Sequence, residues 1–200
     1  MQALDAILSA TPATNPWPAR RQRADELATR YPHAADILRL YRALLDPQED
    51  AFHAAPSSPS PLVAPSAPSP LVGEGRGGGL CPNCGGLPQL SYHALSGEPL
   101  VSGPRYLLCS RCSQSWIFSR MTCASCGESD GTRLPIYQES ERFPHARVDG
   151  CATCRRYLLT FDLRRDSRAV PIVDELACLP LDLYARDQGL TKIAPNLMGN

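Results

Sequence analysis

Eight of the nine cysteines occur as four Cys-x-x-Cys pairs, and these pairs carry the clearest chemistry in the sequence. The pairs are Cys81/Cys84, Cys109/Cys112, Cys123/Cys126 and Cys151/Cys154. Two residues between two cysteines allow one tight turn to aim both thiolates at the same ion. Two such turns make a tetrahedral four-sulfur site, which is the geometry of structural zinc and also suits iron. The sequence therefore predicts two metal ions, zinc or iron, held by these eight cysteines.

The spacing of the pairs is itself repeated along the chain. Cys84 and Cys109 are separated by 24 residues, and so are Cys126 and Cys151. Such a repeat favours sequential pairing, in which the first two pairs form one site and the last two form the other. An interleaved cross-brace, which would join alternate pairs, is the alternative. Redox-active dithiols also use this motif, so free thiol pairs are a second alternative.

The residues that follow the cysteine pairs, and the ninth cysteine, which belongs to no pair, support two further expectations. Glycine directly after the second cysteine of a pair eases the turn, and it is present at Gly85 and Gly127 but replaced by Ser113 and Arg155 in the other two pairs. Cys178 belongs to no pair, and we expect it to be a small buried apolar residue.

Composition limits the classes of function. The chain has 200 residues, and its 20 Lys and Arg balance its 20 Asp and Glu, which argues against nucleic-acid binding through bulk electrostatics. No apolar run approaches the roughly 18 residues of a membrane-spanning helix, and the first ten residues do not resemble a secretory signal. Cytoplasmic location follows as an expectation, and cysteines at this density in a reducing compartment favour metal ligation over disulfides.

Composition also divides the chain. Residues 1–55 have helical patterns, with helices expected at Gln2–Ala10, at about Trp17–Arg30 and from Pro32 to a stop at Asp46-Pro47. Residues 56–79 are rich in Pro, Ser and Gly and are expected to be a linker. The remaining segments are a first four-cysteine module at 80–120, a second at 121–165, and a C-terminal helix and tail at 166–200.

The predicted fold class is a small metal-stabilised α+β protein with two tandem zinc-ribbon or rubredoxin-like modules. Strand-like segments flank the second pair of each module, at 106–108, 116–118 and 157–161. Trp116 and Phe118 are expected in the core beside the first site. His93 and His145 are expected at the surface or in turns, because four cysteines already complete each site.

Several motifs, in this order, resemble the FdhE family of formate dehydrogenase accessory proteins. They are CPNCGGLP at 81–88, YLLCSRC at 106–112 followed by Trp116, RMTCASC at 120–126, CATCRRYL at 151–158 and VDELA at 173–177 followed by Leu181-Asp182. The tail from Gly189 to Gly199 and a weaker match over Arg20–Leu45 extend the resemblance. The family has a longer N-terminal helical domain, and here the Pro/Ser/Gly segment stands where further helices would be expected.

The resemblance implies a cytoplasmic maturation protein that binds the catalytic subunit of a formate dehydrogenase and is not itself an enzyme. It implies rubredoxin-like sites for zinc or iron at the eight paired cysteines. It also matches Asp174 and Glu175 to an acidic pair of the family, and we expect these two residues to contact the partner. Nucleic-acid binding and membrane insertion are not expected.

Two other functions remain open on the residues alone. A rubredoxin-like electron carrier would hold iron with a reversible Fe(III)/Fe(II) couple. A zinc-ribbon nucleic-acid-associated protein would have a basic face and salt-dependent binding.

Overall fold

The computed structural model describes residues 17–54, 79–94, 103–197 and 199. The chain divides into two compact units, one ending at Ala55 and the other beginning at Pro56. The predicted helix at Gln2–Ala10 and nearly all of the predicted linker lie outside the described residues. In the described ranges, no helix combines the length and the hydropathy that crossing a membrane requires.

The N-terminal unit is a pair of helices. Helix α1 is Trp17–Arg30, as predicted, and a 3₁₀ turn at Pro32–Ala34 leads into helix α2 at Ala35–Ala54. The two helices pack through buried apolar side chains, namely Ala24, Leu27, Leu38, Tyr41 and Leu45. The unit therefore has a small core of its own.

The predicted stop of the second helix at Asp46-Pro47 is wrong, because α2 continues to Ala54. A proline inside a helix removes one backbone hydrogen bond and crowds the preceding turn, but the helix resumes when the following residues keep helical backbone angles.

A single mixed sheet spans both cysteine repeats, in the order β3-β2-β1-β6-β5-β4, with β7 also paired to β6. Its strands are β1 (Pro88–His93), β2 (Arg105–Cys109), β3 (Ser115–Phe118), β4 (Ile136–Tyr137), β5 (Ala146–Gly150), β6 (Arg156–Asp162) and β7 (Thr191–Lys192). The α+β class is confirmed, and so are strands at the three predicted segments. The two predicted modules are joined, because β1 of the first pairs in parallel with β6 of the second, with Leu90 opposite Leu159.

One face of the sheet packs against two C-terminal helices, α3 (Pro171–Ala177) and α4 (Leu179–Asp187). Two helices therefore replace the single C-terminal helix expected from the sequence, and Pro180 stands in the first turn of α4. The Tyr137 ring of β4 contacts the Tyr184 ring of α4 edge-on, with centroids 5.4 Å apart. Apolar side chains of the strands and helices fill this interior, among them Leu90, Val148, Leu159, Phe161, Val173 and Leu176.

The opposite face mixes an apolar cluster with buried polar groups. Leu107, Ala124, Leu158 and Ile193 form the cluster, and Trp116 and Phe118 pack against it as predicted. Cross-strand partners lie on the same face of a sheet, so the pairs His93/Arg105 and Ser91/Thr160 belong to this face. The hydroxyls of Ser91 and Thr160 are 2.6 Å apart. This face is therefore polar at the centre of the sheet, where the two modules meet.

A buried group of charges attaches α3 and α4 to the sheet. The ammonium of Lys192 lies 2.7 Å from Glu175 and 2.9 Å from Asp182, and all three side chains are nearly inaccessible to solvent. Tyr157 donates a 2.9 Å hydrogen bond to Asp182, and Gln89 donates a 2.6 Å bond to Glu175. Two helices and three strands thus share one network of charge-assisted hydrogen bonds.

Replacing Lys192 with methionine should destabilise the sheet unit strongly. Two carboxylates would then be buried together without their cation, and removing one member of a buried ion pair costs roughly 3 kcal/mol or more. Urea unfolding of the metal-loaded protein measures the effect. Arg168→Met, which removes a cation that is 71% exposed, should change the stability by less than about 1 kcal/mol. Equal losses in the two variants would contradict a structural role for the buried cluster.

Candidate metal centres

The structure groups the paired cysteines in the sequential arrangement. The groups are Cys81, Cys84, Cys109 and Cys112 in the first module and Cys123, Cys126, Cys151 and Cys154 in the second. Within each group all sulfur atoms lie within 4.8 Å of one another. The four-residue sets predicted from the repeat are therefore the sets that the fold brings together, and each could hold one metal ion.

The sulfur–sulfur distances fit a metal ion and not a disulfide. In the first group the Cys81–Cys112 and Cys84–Cys109 distances are 3.6 and 3.5 Å. Both corresponding distances in the second group are 3.7 Å. A tetrahedral ion with metal–sulfur bonds of about 2.3 Å separates its ligands by about 3.8 Å, whereas a disulfide bond is about 2.05 Å long. The donor set thus matches a closed tetrahedral site for zinc or iron.

The same backbone turn presents each cysteine pair. In every turn the N–H of the first cysteine donates to the carbonyl five residues later, and the acceptors are Gly86, Gln114, Glu128 and Arg156 at 2.8–2.9 Å. Each turn also closes with a left-handed residue directly after the second cysteine, at φ +68° for Gly85, +56° for Ser113, +78° for Gly127 and +57° for Arg155. The two turns without glycine therefore adopt the same conformation at a conformational cost.

Hydrogen bonds to sulfur favour ionised cysteines. The backbone N–H of Arg111 donates to Cys109 Sγ at 3.4 Å, and the N–H of Ser125 donates to Cys123 Sγ at the same distance. At the other edge of the first site, the side-chain amide of Asn83 donates to Cys112 Sγ at 3.7 Å. These donors partly compensate the negative charge that four thiolates would place around an ion.

The crowded thiols ionise very unequally without a cation. The N–H of Gln114 and the amide of Asn83 lower the pKa of Cys112 to about 6. The N–H of Gly86 lowers the pKa of Cys84, but the thiols of Cys112 and Cys109 raise it by a larger amount. The net effect raises the pKa of Cys84 to about 12. Additional thiolates therefore repel one another, and a divalent ion removes this repulsion, which couples metal binding to proton release.

Burial follows position within each pair. The first cysteine of every pair is buried: Cys81, Cys109, Cys123 and Cys151. The second cysteines of the first three pairs, Cys84, Cys112 and Cys126, are exposed, and Cys154 is intermediate. For Cys123, burial is the main cause that raises the pKa to about 12. Each site thus faces the core on one side and solvent on the other.

Other residues singled out in the sequence also have definite positions. Cys178 belongs to neither group and is buried between α3 and α4, where burial raises its pKa well above the ordinary value. Asp174 and Glu175 are buried as well. Asp174 lies 3.0 Å from Nε2 of His145, and Glu175 pairs with Lys192. In this conformation both carboxylates have internal partners, so their expected contact with another protein stays a prediction.

His93 differs from the expectation of a surface or turn position, because it is 6% exposed at the end of β1. His145 lies in a turn directly before β5, as expected, but is buried at 3% exposure. Arg105 and Lys192, which the sequence did not single out, are buried with polar partners. The burial of Arg105 could have been predicted from its position as the first residue of an otherwise apolar strand, RYLLC.

Two domain models of one protein family match this chain. Residues 80–120 match the model described as "FdhE, central domain", and residues 121–198 match "FdhE, C-terminal domain". The two matches adjoin and contain both four-cysteine groups.

Individual relatives match over a similar length of the chain. A "Protein FdhE homolog" from Aquifex aeolicus is 34% identical over 119 residues, which is 60% of this chain and 41% of the relative. The homologue from Pseudomonas aeruginosa is 34% identical over 122 residues, covering 60% of this chain and 39% of the relative. The match therefore spans about two-fifths of the length of these proteins.

A solved structure agrees with these matches. The crystal structure of the FdhE protein from Pseudomonas aeruginosa superimposes with a TM-score of 0.52 at 33% identity. The superposition covers 60% of this chain and 41% of the other.

Metal analysis of the protein purified without oxygen should find about two ions per chain, one for each four-cysteine group. Cys109→Ser should reduce the content to about one ion, because a three-thiolate site loses affinity and leaves an unpaired buried hydroxyl. Cys178→Ala removes a cysteine outside both groups and should retain both ions. An unchanged metal content in Cys109→Ser, or intact disulfides in place of metal, would contradict the assignment.

Matched substitutions should test the cost of the left-handed turns. Ser113→Gly should stabilise the first site by about 0.5–1 kcal/mol, because glycine adopts positive φ without steric conflict. Gly85→Ala should destabilise it by a similar amount, although a Cβ at this position meets no neighbouring atom within 4 Å. Thermal unfolding of the metal-loaded variants measures both changes, and shifts in the same direction would rule out backbone strain as the cause.

Proposed function

The chain belongs to the FdhE family, and from this premise we propose that it is a cytoplasmic accessory protein that binds the catalytic subunit of a formate dehydrogenase and assists its maturation. The observation that carries the proposal is the pair of closed four-cysteine sites joined by one sheet within the two matched FdhE domains. The protein acts by binding and does not itself turn over a substrate.

Metal ions at the eight paired cysteines would give this protein a rigid surface. Structural zinc contributes on the order of 10–16 kcal/mol per site at neutral pH, which exceeds the free energy that a module of this size gains from its core. All four ligands of each site come from the chain, and this closed arrangement is typical of structural metals. Zinc or iron in these sites serves to hold the surface that the partner recognises.

Exposed apolar side chains on the sheet unit are candidates for that surface. Ile117, Met121 and Ile136 are each at least 57% exposed, and Leu197 is 61% exposed. Two of them lie on the short strands at the ends of the main strand order, with Ile117 in β3 and Ile136 in β4. Exposed apolar residues at sheet edges are features that protein partners bind.

A host strain that lacks this protein provides the test. We expect formate dehydrogenase activity to fall on deletion, and to be restored by the wild-type chain and by Cys178→Ala but not by Cys109→Ser. The wild-type chain, tagged, should also retain the catalytic subunit during purification. Unchanged activity after deletion would contradict the function. Full rescue by Cys109→Ser would contradict a requirement for the first metal site.

Electron transfer is a second candidate, favoured by the exposed cysteines of both groups. Cys84, Cys112 and Cys126 lie at the surface, where an iron centre could exchange electrons with a partner. Metal analysis together with an absorption spectrum separates the two functions, because iron thiolate sites absorb visible light and zinc sites do not. A reversible iron couple would favour electron transfer, and two zinc ions would exclude it at these sites.

A further inference from the structure

A cavity of about 340 Å³ lies on the sheet face opposite α3 and α4. Residues from both modules line it, with His93 and Arg105 from the first and Arg147 and Asp149 from the second. Because His93 is the cross-strand partner of Arg105, these side chains share the face that the register defines. The cavity therefore sits where the two modules join, and its volume is in the range of small-molecule sites.

The walls of this cavity carry an excess of positive charge. Five arginines line it: Arg105, Arg120, Arg147, Arg156 and Arg164. Asp149 is the one carboxylate among the described lining residues, and it pairs with Arg147 at 2.8 Å and Arg105 at 3.6 Å. Arg164 pairs with Asp162 at 2.6 Å.

Two of these arginines lack an acidic partner. Arg120 donates to the carbonyl of Gly103, and neither Arg120 nor Arg156 pairs with a carboxylate in the described part of the chain. Both residues are exposed to solvent, so their guanidinium groups can donate charge-assisted hydrogen bonds to an anion bound in the cavity.

His93 also lines this cavity, and its ring is nearly inaccessible to solvent. Its Nε2 lies 3.4 Å from Nη2 of Arg147, and a guanidinium can only donate, so Nε2 is the acceptor. The neutral ring must then carry its proton on Nδ1, which is buried without a hydrogen-bond partner in the described residues. An unpaired buried donor is costly, and because this nitrogen has almost no accessible surface, a ligand would reach it only if the ring turned.

The surroundings of His93 agree with a positive potential in the cavity. Burial is the main cause that lowers the pKa of His93, and the charges of Arg147 and Arg120 lower it further, to about 4. Asp149 and Asp162 oppose this effect only partly. The ring is therefore neutral at pH 7, although it lies near carboxylates that normally favour its protonated form.

The rest of the cavity wall is mostly apolar. Its apolar side chains are Met121, Ala124, Leu134, Pro135, Ile136, Leu158 and Ile193, and Thr122, Cys123, Gly150 and Tyr157 complete the lining. A small hydrophilic anion such as inorganic phosphate would leave this surface without contact. A ligand that carries one anionic group on an apolar body would contact both parts of the wall.

We propose that this cavity binds an organic monocarboxylate with a compact apolar body. Its carboxylate accepts hydrogen bonds from the arginines and lies next to the ring of His93, and its apolar body packs against Ile136 and Ile193. The ligand is a free acid or the C-terminal carboxylate of a polypeptide, since both present the same chemistry. The metal ligand Cys123 also lines the cavity, but the contacts proposed here use none of the eight cysteines, and the proposal extends beyond the function proposed above.

Calorimetry on the metal-loaded full chain tests the proposal with phenylpropionate as the probe. We expect binding below about 10 mM, the range of small fragments, and at least about tenfold weaker binding of the neutral amide phenylpropionamide. A short peptide that ends in a phenylalanine carboxylate, compared with its amidated form, distinguishes the two sources. No binding of either carboxylate, or equally tight binding of the amides or of inorganic phosphate, would overturn the proposal.

Variants locate the binding. Arg120→Gln combined with Arg156→Gln should weaken phenylpropionate binding by about tenfold, because two charge-assisted contacts are lost. The matched pair Arg39→Gln and Arg168→Gln removes the same charge from side chains that are 70% and 71% exposed, and should change the affinity less than about twofold. Metal content, measured on each variant, confirms that the sites remain loaded. Equal weakening in both pairs would show that binding depends on net charge and would overturn the assigned cavity.

The ring of His93 supplies an independent readout. A carboxylate next to the imidazole favours its protonated form, so the pKa of His93, followed by NMR and assigned with His93→Gln, should rise when phenylpropionate binds. The signal of His145, which is hydrogen-bonded to Asp174, should not respond. An unchanged His93 signal at saturating phenylpropionate would place the ligand elsewhere.

Discussion

The mutual repulsion of four thiolates that converge on one metal site is the constraint on which the rest of this structure depends. In each group two pairs of sulfurs are 3.5–3.7 Å apart and all four lie within 4.8 Å, a spacing that four thiolates can adopt only around a cation. The second pair of each group is the turn of a hairpin, joining β2 to β3 or β5 to β6. The first pair precedes β1 or β4. Each ion would therefore fasten a hairpin turn to the loop that enters the module.

The sheet is continuous across the two modules, and its two faces differ in polarity. The face under α3 and α4 is mostly apolar, and its buried polar groups are the cluster around Lys192 and the pair His145/Asp174. The other face has arginines and hydroxyls at its centre, with Arg105 only 4% exposed and hydrogen-bonded to Ser91. Buried polar groups of this kind specify a single register, because a shift by one residue would bury them without partners.

Local patterns predicted much of this fold, and long-range pairing explains the rest. The eight cysteines were identifiable because metal chemistry fixes their spacing within each turn and the repeat fixes their grouping. Strands such as 157–161 consist mostly of apolar and β-forming residues, so they were also predictable. The parallel pairing of β1 with β6 has no local signal, and the burial of His93 and His145 follows from it and from packing against α3. Ser113 and Arg155 show that a required backbone conformation overrides residue preference when a larger interaction depends on it.

The pairing of β1 with β6 has a consequence for synthesis on the ribosome. Residues 88–93 must find residues 156–162, so the centre of the sheet forms only after most of the second module has been made. The first four cysteines are complete by residue 112, and they can capture an ion while the rest of the chain is still being translated. Until residue 162 emerges, the free edge of β1 is open to pairing with other strands. Because the chain is made from the N-terminus to the C-terminus, metal binding by the first module can precede completion of the sheet.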